Sequence, residues 1–494
     1  MKTRIAFIVI TLLAISSFAF ASPAQDVFEQ AQFYLETQYF GPNPVNMKEH
    51  TAKYQPMLDK ACADDVANCA YEKAEPVIAQ MLDDLNDGHA YYLSAAAVSQ
   101  ERANVSGVSA SPTPRIGITH RGFCDTPTGV CEFDDAGNLK SKQIFDRLIM
   151  NVLAGTPGEK AGLKFGDRWV GYNDVLFSNA TDAKAASEML ADFTKRVRAK
   201  ETIIMKIVRG VAREKLDISI VGEIINTVDF PSITLRSDGI GVLLIRDWLI
   251  QGLGTKVHDL VREAINKGAK SIVIDQRNNG GGLGNERAIA QGAFLEKPDD
   301  VYRIPRYNAE QDTVIEHYEN GVFTQSNPQK VELSNQKVAN PALFKGPIAM
   351  LVNNNCASAC EYFASSIQRA KRGPIIGEET AGVGNTNTAR FGLINGGAEG
   401  FPTLRAFWAD GTPLPSSVKP DIVTPNSDFN LFNTGVDQPL QKALESFGAK
   451  TSANVSSITL SALPDFTGSS VMNSVMQNVS GNLEMVQHNN TNLQ

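Results

Sequence analysis

The sequence predicts an α/β protein whose main domain holds a parallel-rich sheet covered by helices. Three short apolar runs in the C-terminal half, at residues 271–275, 348–352 and 374–377, are typical of buried strands. Helical patterns lie between them, and strands that alternate with helices favour parallel pairing. The chain of 494 residues also exceeds what one hydrophobic core usually serves, so two or three domains are expected.

The first 21 residues are typical of a secretory signal peptide. Lys2 and Arg4 precede an apolar run that is too short to span a bilayer, and small residues end it at Ala19-Phe20-Ala21. We expect cleavage after Ala21 and an exported protein, periplasmic or extracellular. No later run is long and apolar enough to predict a membrane span.

The rest of the chain divides into four segments. Residues 22–110 mix apolar and charged positions, in places at helical spacing, and predict a helical N-terminal region. Residues 111–225 hold short β-like runs interrupted by one helix near 183–196, which predicts a small, partly open β-domain. The α/β core is expected at residues 226–448, and a low-complexity tail rich in Ser, Asn and Thr follows at 449–494.

Composition argues against several classes of partner and cofactor. The formal net charge is −8 and the Lys and Arg residues are scattered, so no nucleic-acid partner is expected. No group of Cys and His residues has the spacing of zinc ligands, and we expect neither a metal nor another cofactor. The sequence leaves the oligomeric state open.

The six cysteines fall into three close pairs, which favours local disulfides in an exported chain. The pairs are Cys62 with Cys69, Cys124 with Cys131, and Cys356 with Cys360. The last pair is spaced i and i+4, so on an ideal helix its Cα atoms would lie about 6 Å apart, near the long end of disulfide geometry. A bridge there would stiffen the turn, whereas a free thiol could act as a nucleophile.

Ser358 lies where an apolar strand pattern gives way, through small residues, to a helix. The N–H groups and the positive end of the helix dipole converge at such a junction, where they would stabilise an oxyanion. A serine at this position is also an ordinary helix N-cap.

A second motif, Asp275-Gln-Arg-Asn-Asn-Gly280-Gly-Gly282, also follows a predicted buried strand. Active sites in α/β sheets collect at the carboxyl ends of strands, and glycines allow the backbone to approach a substrate closely. The alternative is a tight turn without further function. The glycine spacing fits neither dinucleotide-binding nor P-loop patterns.

Several segments, taken in order, resemble the carboxyl-terminal processing (tail-specific) and tricorn-type serine peptidase family. The matching stretches are residues 155–167, 275–282, 356–361, 377–382, 419–422 and 437–444. The resemblance implies a helical N-terminal region, a PDZ-like β-domain and a crotonase-like α/β peptidase core. It also implies that Ser358 is the nucleophile, with an oxyanion hole made by the N–H of Ala359 and one N–H from Gly281 or Gly282.

By the same resemblance, the PDZ-like domain binds an extended peptide along a sheet edge. The predicted carboxylate-binding edge consists of Arg115, Ile116, Gly117 and Ile118. A purely structural β-domain is the alternative.

The general base departs from the tail-specific pattern. Val383 stands where that branch has its lysine, and no lysine occurs between Gly373 and Val418. The segment Asp87-Gly88-His89 resembles the tricorn-like branch, in which the histidine is the base, and histidine titrates near neutral pH. We therefore assign His89 as base and acid, although a lone histidine in a turn is usually a polar surface residue.

The third catalytic position is not matched. The tricorn-type site adds a serine and a glutamate, but Gly88 and Leu414 occupy those places here. Asp87, a backbone carbonyl, Glu378 or Glu379 could hold the imidazole instead.

These observations predict an exported serine endopeptidase that hydrolyses peptides or unfolded proteins through Ser358 and His89. One alternative is a peptide-binding protein that has lost catalysis, favoured by the unmatched positions. The other is a thiol-dependent hydrolase that acts through Cys356 or Cys360.

Overall fold

The computed structural model describes residues 22–42, 46–99, 113–126, 129, 131, 132, 134, 139–225, 230–424, 427–449 and 457–461. The predicted signal peptide, residues 1–21, lies outside these ranges. The described chain forms two compact units. The first takes in the described residues up to Tyr39, those between Asn43 and Val98, and Ala389–Phe401; the second takes in the rest. The predicted β-domain falls in the second unit, and so does the predicted α/β core except for Ala389–Phe401, which belongs to the first unit.

The helices, numbered along the chain, are α1 (Pro23–Gln38), α2 (Met47–Ala52), α3 (Gln55–Ala61), α4 (Glu75–Asp83), α5 (Pro157–Lys160), α6 (Ala183–Arg198), α7 (Leu253–Asn266), α8 (Gly284–Gln291), α9 (Ala309–Asp312), α10 (Ala359–Arg369), α11 (Ser427–Thr434) and α12 (Gln438–Ser446). Short 3₁₀ turns occupy Tyr71–Lys73 and Phe177–Asn179. The helix predicted near residues 183–196 is confirmed as α6. Within the described ranges, each helix is either too short or too polar to cross a bilayer.

The strands are β1 (Tyr91–Leu93), β2 (Ile118–Cys124), β3 (Gln143–Val152), β4 (Arg168–Tyr172), β5 (Val175–Leu176), β6 (Thr202–Arg209), β7 (Glu214–Val221), β8 (Ser232–Arg236), β9 (Ile240–Leu244), β10 (Ser271–Asp275), β11 (Val301–Pro305), β12 (Val314–Glu319), β13 (Val322–Ser326), β14 (Glu332–Lys337), β15 (Ile348–Val352), β16 (Ile375–Gly377), β17 (Thr386–Gly392), β18 (Ala398–Trp408), β19 (Ile422–Val423) and β20 (Ser457–Ser461).

A sheet with the order β19-β16-β15-β10-β9-β8-β20 forms the centre of the second unit. The pairs from β19 to β9 are parallel, which confirms the predicted α/β class and the parallel-rich sheet. Every residue of β10 and β15 is buried, because helices cover both faces of the sheet. Residues from α7 and α10 pack on one face, and residues from α12 pack on the other.

Two further sets of strands pair antiparallel in the second unit. The predicted β-domain forms a sheet in the order β2-β3-β4-β6-β7, with β5 against β4. Between β10 and β15 the chain inserts β11 to β14, and β11 pairs with residues 404–408 of β18. The sequence analysis did not predict these inserted strands. In the segment predicted as a low-complexity tail, β20 pairs with β8.

The first unit has its own core, built around α1 and α4. Phe28, Leu35, Ile78, Met81 and Phe401 are fully buried there. The helix α1 begins at a capping residue, since the Ser22 hydroxyl accepts the N–H of Gln25 at 3.3 Å.

Glu399 is a carboxylic acid buried in the core of this unit. It lies opposite Tyr92 where β1 pairs with β18, and its side chain is fully buried. Neither carboxylate oxygen has a hydrogen-bond partner among the described residues. Burial therefore raises the pKa of Glu399 well above its ordinary value, because the charged form would lose its hydration.

We predict that Glu399 makes the protein less stable as pH rises. The folded state keeps the proton at pH values where the unfolded chain, with a carboxyl pKa of about 4.5, releases it. Stability contributed by this group is thus complete below pH 4.5 and falls by about 1.4 kcal/mol per pH unit until the folded-state pKa is reached. Urea unfolding of wild type and Glu399→Gln from pH 4 to pH 9 measures this difference. The two proteins should match at pH 4 and diverge above it; parallel curves would contradict the assignment.

Candidate active site

Two loops meet at the carboxyl edge of the parallel sheet. The neighbouring strands β10 and β15 pair Asp275 with Leu351, so the loops that follow them start side by side. The first loop carries the glycine motif, and the second leads to Ser358 and α10.

Side-chain amides fix these loops to each other. The N–H of Asn278 donates to Asn353 Oδ1 at 2.8 Å, and Asn353 Nδ2 donates back to Asn278 Oδ1 at 2.7 Å. Asn355 Nδ2 donates to the same oxygen at 3.0 Å, and the N–H of Ala357 donates to the carbonyl of Asn279 at 3.0 Å. The relative position of the loops is therefore set by hydrogen bonds that cross between them.

Gly281 is pressed against the serine turn. A Cβ at Gly281 would lie 2.7 Å from the Ala357 carbonyl oxygen, 2.8 Å from Ser358 Cβ and 3.1 Å from the Ala359 nitrogen. Its φ of +96° also lies in the region that favours glycine. The structure thus brings together three of the residues that the sequence analysis selected, namely Gly281, Ser358 and Ala359.

Ser358 has a backbone conformation that is costly for a residue with a side chain. Its φ of 54° and ψ of −117° place it outside the broad allowed regions, and such residues persist only where their surroundings hold them. Ala359 is the first residue of α10, so its N–H lacks an intrahelical acceptor. The half-buried serine side chain therefore stands at the N-terminal end of a helix.

Glu361 is a buried carboxylate that holds this turn. It accepts the N–H of Ser358 at 2.8 Å, the hydroxyl of Thr380 at 2.7 Å, and the N–H groups of Gly382 at 2.7 Å and Val383 at 3.1 Å. Burial raises the pKa of Glu361, and these hydrogen bonds oppose the rise. The sequence analysis assigned it no role, although Ser-x-x-Glu is the signature of a capping box.

The structure joins all six cysteines in the three predicted disulfides. The bonded pairs are Cys62–Cys69, Cys124–Cys131 and Cys356–Cys360. The last pair brackets Ser358 with a Cα–Cα distance of 5.4 Å, and the N–H of Ala381 donates to the Cys356 carbonyl at 3.0 Å. In this state neither sulfur beside Ser358 is a thiol.

The N–H groups of Gly281 and Gly282, the two predicted oxyanion donors from the glycine loop, differ in their hydrogen bonding. The N–H of Gly281 donates to Asn279 Oδ1 at 2.9 Å. Gly282 forms a parallel bridge with Trp248, which uses the Gly281 carbonyl and the Leu283 N–H. In such a bridge the Gly282 N–H points away from the segment that carries Trp248.

His89 belongs to the first unit, whereas Ser358 belongs to the second. Asp87 Oδ1 accepts the backbone N–H of His89 at 3.0 Å, and its Oδ2 accepts the Tyr39 hydroxyl at 2.9 Å. Burial lowers the pKa of His89, and the charge of Asp87 partly opposes this. Asp87 thus shapes the turn that carries the histidine.

Two positions that the resemblance left unmatched, Val383 and Leu414, have structural roles. Val383 lies on the loop that Glu361 binds, and Leu414 is buried in an apolar cluster with Tyr362. Glu379, considered as an orienting carboxylate, accepts the Ser417 hydroxyl at 2.6 Å.

The predicted peptide-binding edge lies at one side of the β-domain. β2 is an edge strand, and Arg115 forms an isolated bridge with Glu223. The carbonyls of Ile116 and Gly117 accept the N–H groups of Gly158 at 2.7 Å and Leu153 at 2.8 Å. The segment that leads into Ile118 is therefore anchored through its carbonyl groups.

Sequence comparisons find similar proteins among bacterial proteases. Carboxy-terminal processing protease CtpA of Bacillus subtilis is 24% identical over 339 residues, which cover 65% of this chain and 65% of that protein. A CtpA-like serine protease of Staphylococcus haemolyticus is 27% identical over 254 residues, covering 51% of this chain and 44% of that protein. The chain thus spans about half to two thirds of the length of these relatives.

Among solved structures, the photosystem II D1 C-terminal processing protease matches with a TM-score of 0.45 at 16% identity, covering 83% of this chain and 97% of that one. Residues 239–424 match Peptidase family S41, and this segment contains both loops at the carboxyl edge of the parallel sheet. Over residues 239–424 the chain is therefore similar to Peptidase family S41.

Proposed function

We propose that this chain is an exported serine endopeptidase with Ser358 as its nucleophile. The observation that carries the proposal is the strained serine turn at the start of α10, packed against Gly281 inside the segment that matches the family. A serine held at a helix N-terminus beside a glycine loop is suited to attack a carbonyl and to stabilise the oxyanion that forms.

In this mechanism the Ser358 hydroxyl attacks the scissile carbonyl carbon and loses its proton to a base. The developing oxyanion accepts hydrogen bonds from the N–H of Ala359 and, of the two loop candidates, from that of Gly282, since the Gly281 N–H already donates to Asn279. The base then returns the proton to the leaving amine as the C–N bond breaks, and a water molecule, deprotonated by the same base, attacks the acyl-enzyme so that the acid product leaves and the Ser358 hydroxyl is restored.

His89 is proposed as the base. Its support is the Asp87-Gly88-His89 motif together with Val383 at the position of the family lysine. The lowered pKa keeps the imidazole neutral, and so able to accept a proton, at neutral pH.

The β-domain is proposed to act as a PDZ-like module, and the core to be crotonase-like. An extended peptide would add near Arg115–Ile118 to the side of β2 that pairs with no strand among the described residues, since edge strands offer unpaired backbone groups. The three disulfides support export, because such bonds persist in oxidising compartments.

Fluorophosphonate labelling tests the nucleophile. We expect the wild type to be labelled and Ser358→Ala to be unlabelled, since the probe reacts with an activated serine hydroxyl. Labelling that persists in Ser358→Ala and requires reductant would identify Cys356 or Cys360 as the nucleophile. Absence of labelling in both proteins would favour a non-catalytic peptide-binding protein, consistent with Val383, Leu414 and Gly88.

The pH profile of casein hydrolysis tests the base. Because burial lowers the pKa of His89 from its ordinary value of 6.5, kcat/KM should rise with pH to a plateau, with the midpoint of the rise below pH 6.5. His89→Gln should lower kcat/KM by about 10²–10⁴-fold, and His317→Gln, in β12, serves as the control. A rate that continues to rise toward pH 9 would point to a different base.

Paired glycine variants test the close approach at Ser358. Gly281→Ala should reduce the labelling rate by about 10²-fold, because its Cβ would displace the serine turn and the oxyanion donors. The neighbouring Gly280→Ala introduces a Cβ with no atom within 4 Å and should react like the wild type. Thermal unfolding confirms that both variants fold. Equal labelling of the two would show that the 2.8 Å approach does not govern reactivity.

A further inference from the structure

Two exposed leucines lie beside the glycine loop. Leu249 follows Trp248, whose carbonyl accepts the Leu283 N–H at 2.8 Å, and a Cβ at Gly282 would lie 2.9 Å from the Leu249 nitrogen. The segment 248–249 therefore runs alongside residues 281–283, and Gly281 in turn contacts Ser358.

The direction of these side chains follows from the neighbouring tryptophan. Trp248 is fully buried and stacks on Phe363 of α10 at a centroid distance of 5.7 Å. Side chains alternate along an extended segment, so Leu249 points away from the core. Leu249 is 69% exposed and Leu283 is 38% exposed.

The backbone of this leucine pair is fixed. Asp247 Oδ1 accepts the Leu249 N–H at 2.9 Å, and the bridge between Trp248 and Gly282 holds the two segments together. The pair thus forms an apolar surface that is already in place next to the atoms that would receive the scissile carbonyl.

We infer that Leu249 and Leu283 form a specificity subsite for an apolar side chain next to the scissile bond. The inference rests on the proposed peptidase function. Successive residues of an extended peptide are about 3.3 Å apart, so a residue adjacent to the bond held at Ser358 can contact the pair. Burying an apolar side chain against exposed leucines is favourable, whereas a charged side chain would lose hydration there.

The test uses unfolded casein as substrate and identifies the cleaved bonds by mass spectrometry. Wild type should cut mainly at bonds flanked by Leu, Ile, Val, Phe or Met. In Leu249→Ser/Leu283→Ser the ratio of apolar-flanked to polar-flanked cuts should fall about tenfold, the size expected for loss of one apolar contact. Leu333→Ser in β14, a leucine that is 54% exposed, is the matched control and should keep the wild-type ratio.

A second variant reverses the preference. Leu249→Lys/Leu283→Lys should favour bonds flanked by Asp or Glu, because the new charges attract carboxylates. An unchanged ratio in both double variants, or wild-type cleavage without apolar preference, would overturn the subsite and leave the proposed function standing. Casein cleavage that is equal in wild type and Ser358→Ala would instead overturn the proposed function, and the subsite with it.

Discussion

The hydrogen bonds between Asn278 and Asn353 are the constraint on which the rest of the site depends. The side chain of each residue forms a hydrogen bond to the loop that carries the other residue. The loops at the carboxyl ends of β10 and β15 are therefore joined directly, without bridging water. This junction allows Gly281 to approach Ser358 so closely that no Cβ would fit. The parallel sheet places the two loops at the same edge, and the hydrogen bonds between Asn278 and Asn353 fix the position of the Ser358 hydroxyl at that edge.

Glu361 extends this constraint to a third segment. Its four acceptor contacts join the serine turn to the loop at residues 380–383, where the resemblance places a lysine in related enzymes. In this chain the loop keeps its backbone attachment through the N–H of Val383, although it carries no amine. The absence of an amine on this loop thus leaves the support of the Ser358 turn intact, and this is why our proposal of a base from elsewhere in the chain is chemically reasonable.

The sequence predicted the parts of the fold that depend on local chemistry. β10 and β15 were predicted because strands buried on both faces are continuously apolar, and the cysteine pairs were predicted because their partners are close in sequence. The inserted strands β11 to β14 were missed because exposed strands such as Glu332–Lys337 lack that signal. The hydrogen bond from the Gly281 N–H to the Asn279 side chain could not be predicted, since it depends on the backbone conformation of the folded loop.

Other helix starts in the same chain show how unusual the backbone conformation of Ser358 is. Ser22 and Asp182 precede α1 and α6 with φ values of −69° and −157°, and their side chains accept N–H groups of the first turn. A serine needed only as a cap would adopt that relaxed conformation. Ser358 instead has a φ of 54°, and a disulfide, a buried carboxylate and a glycine loop surround it. Strain maintained by so many contacts is characteristic of functional sites, and here it fixes the position of a hydroxyl group.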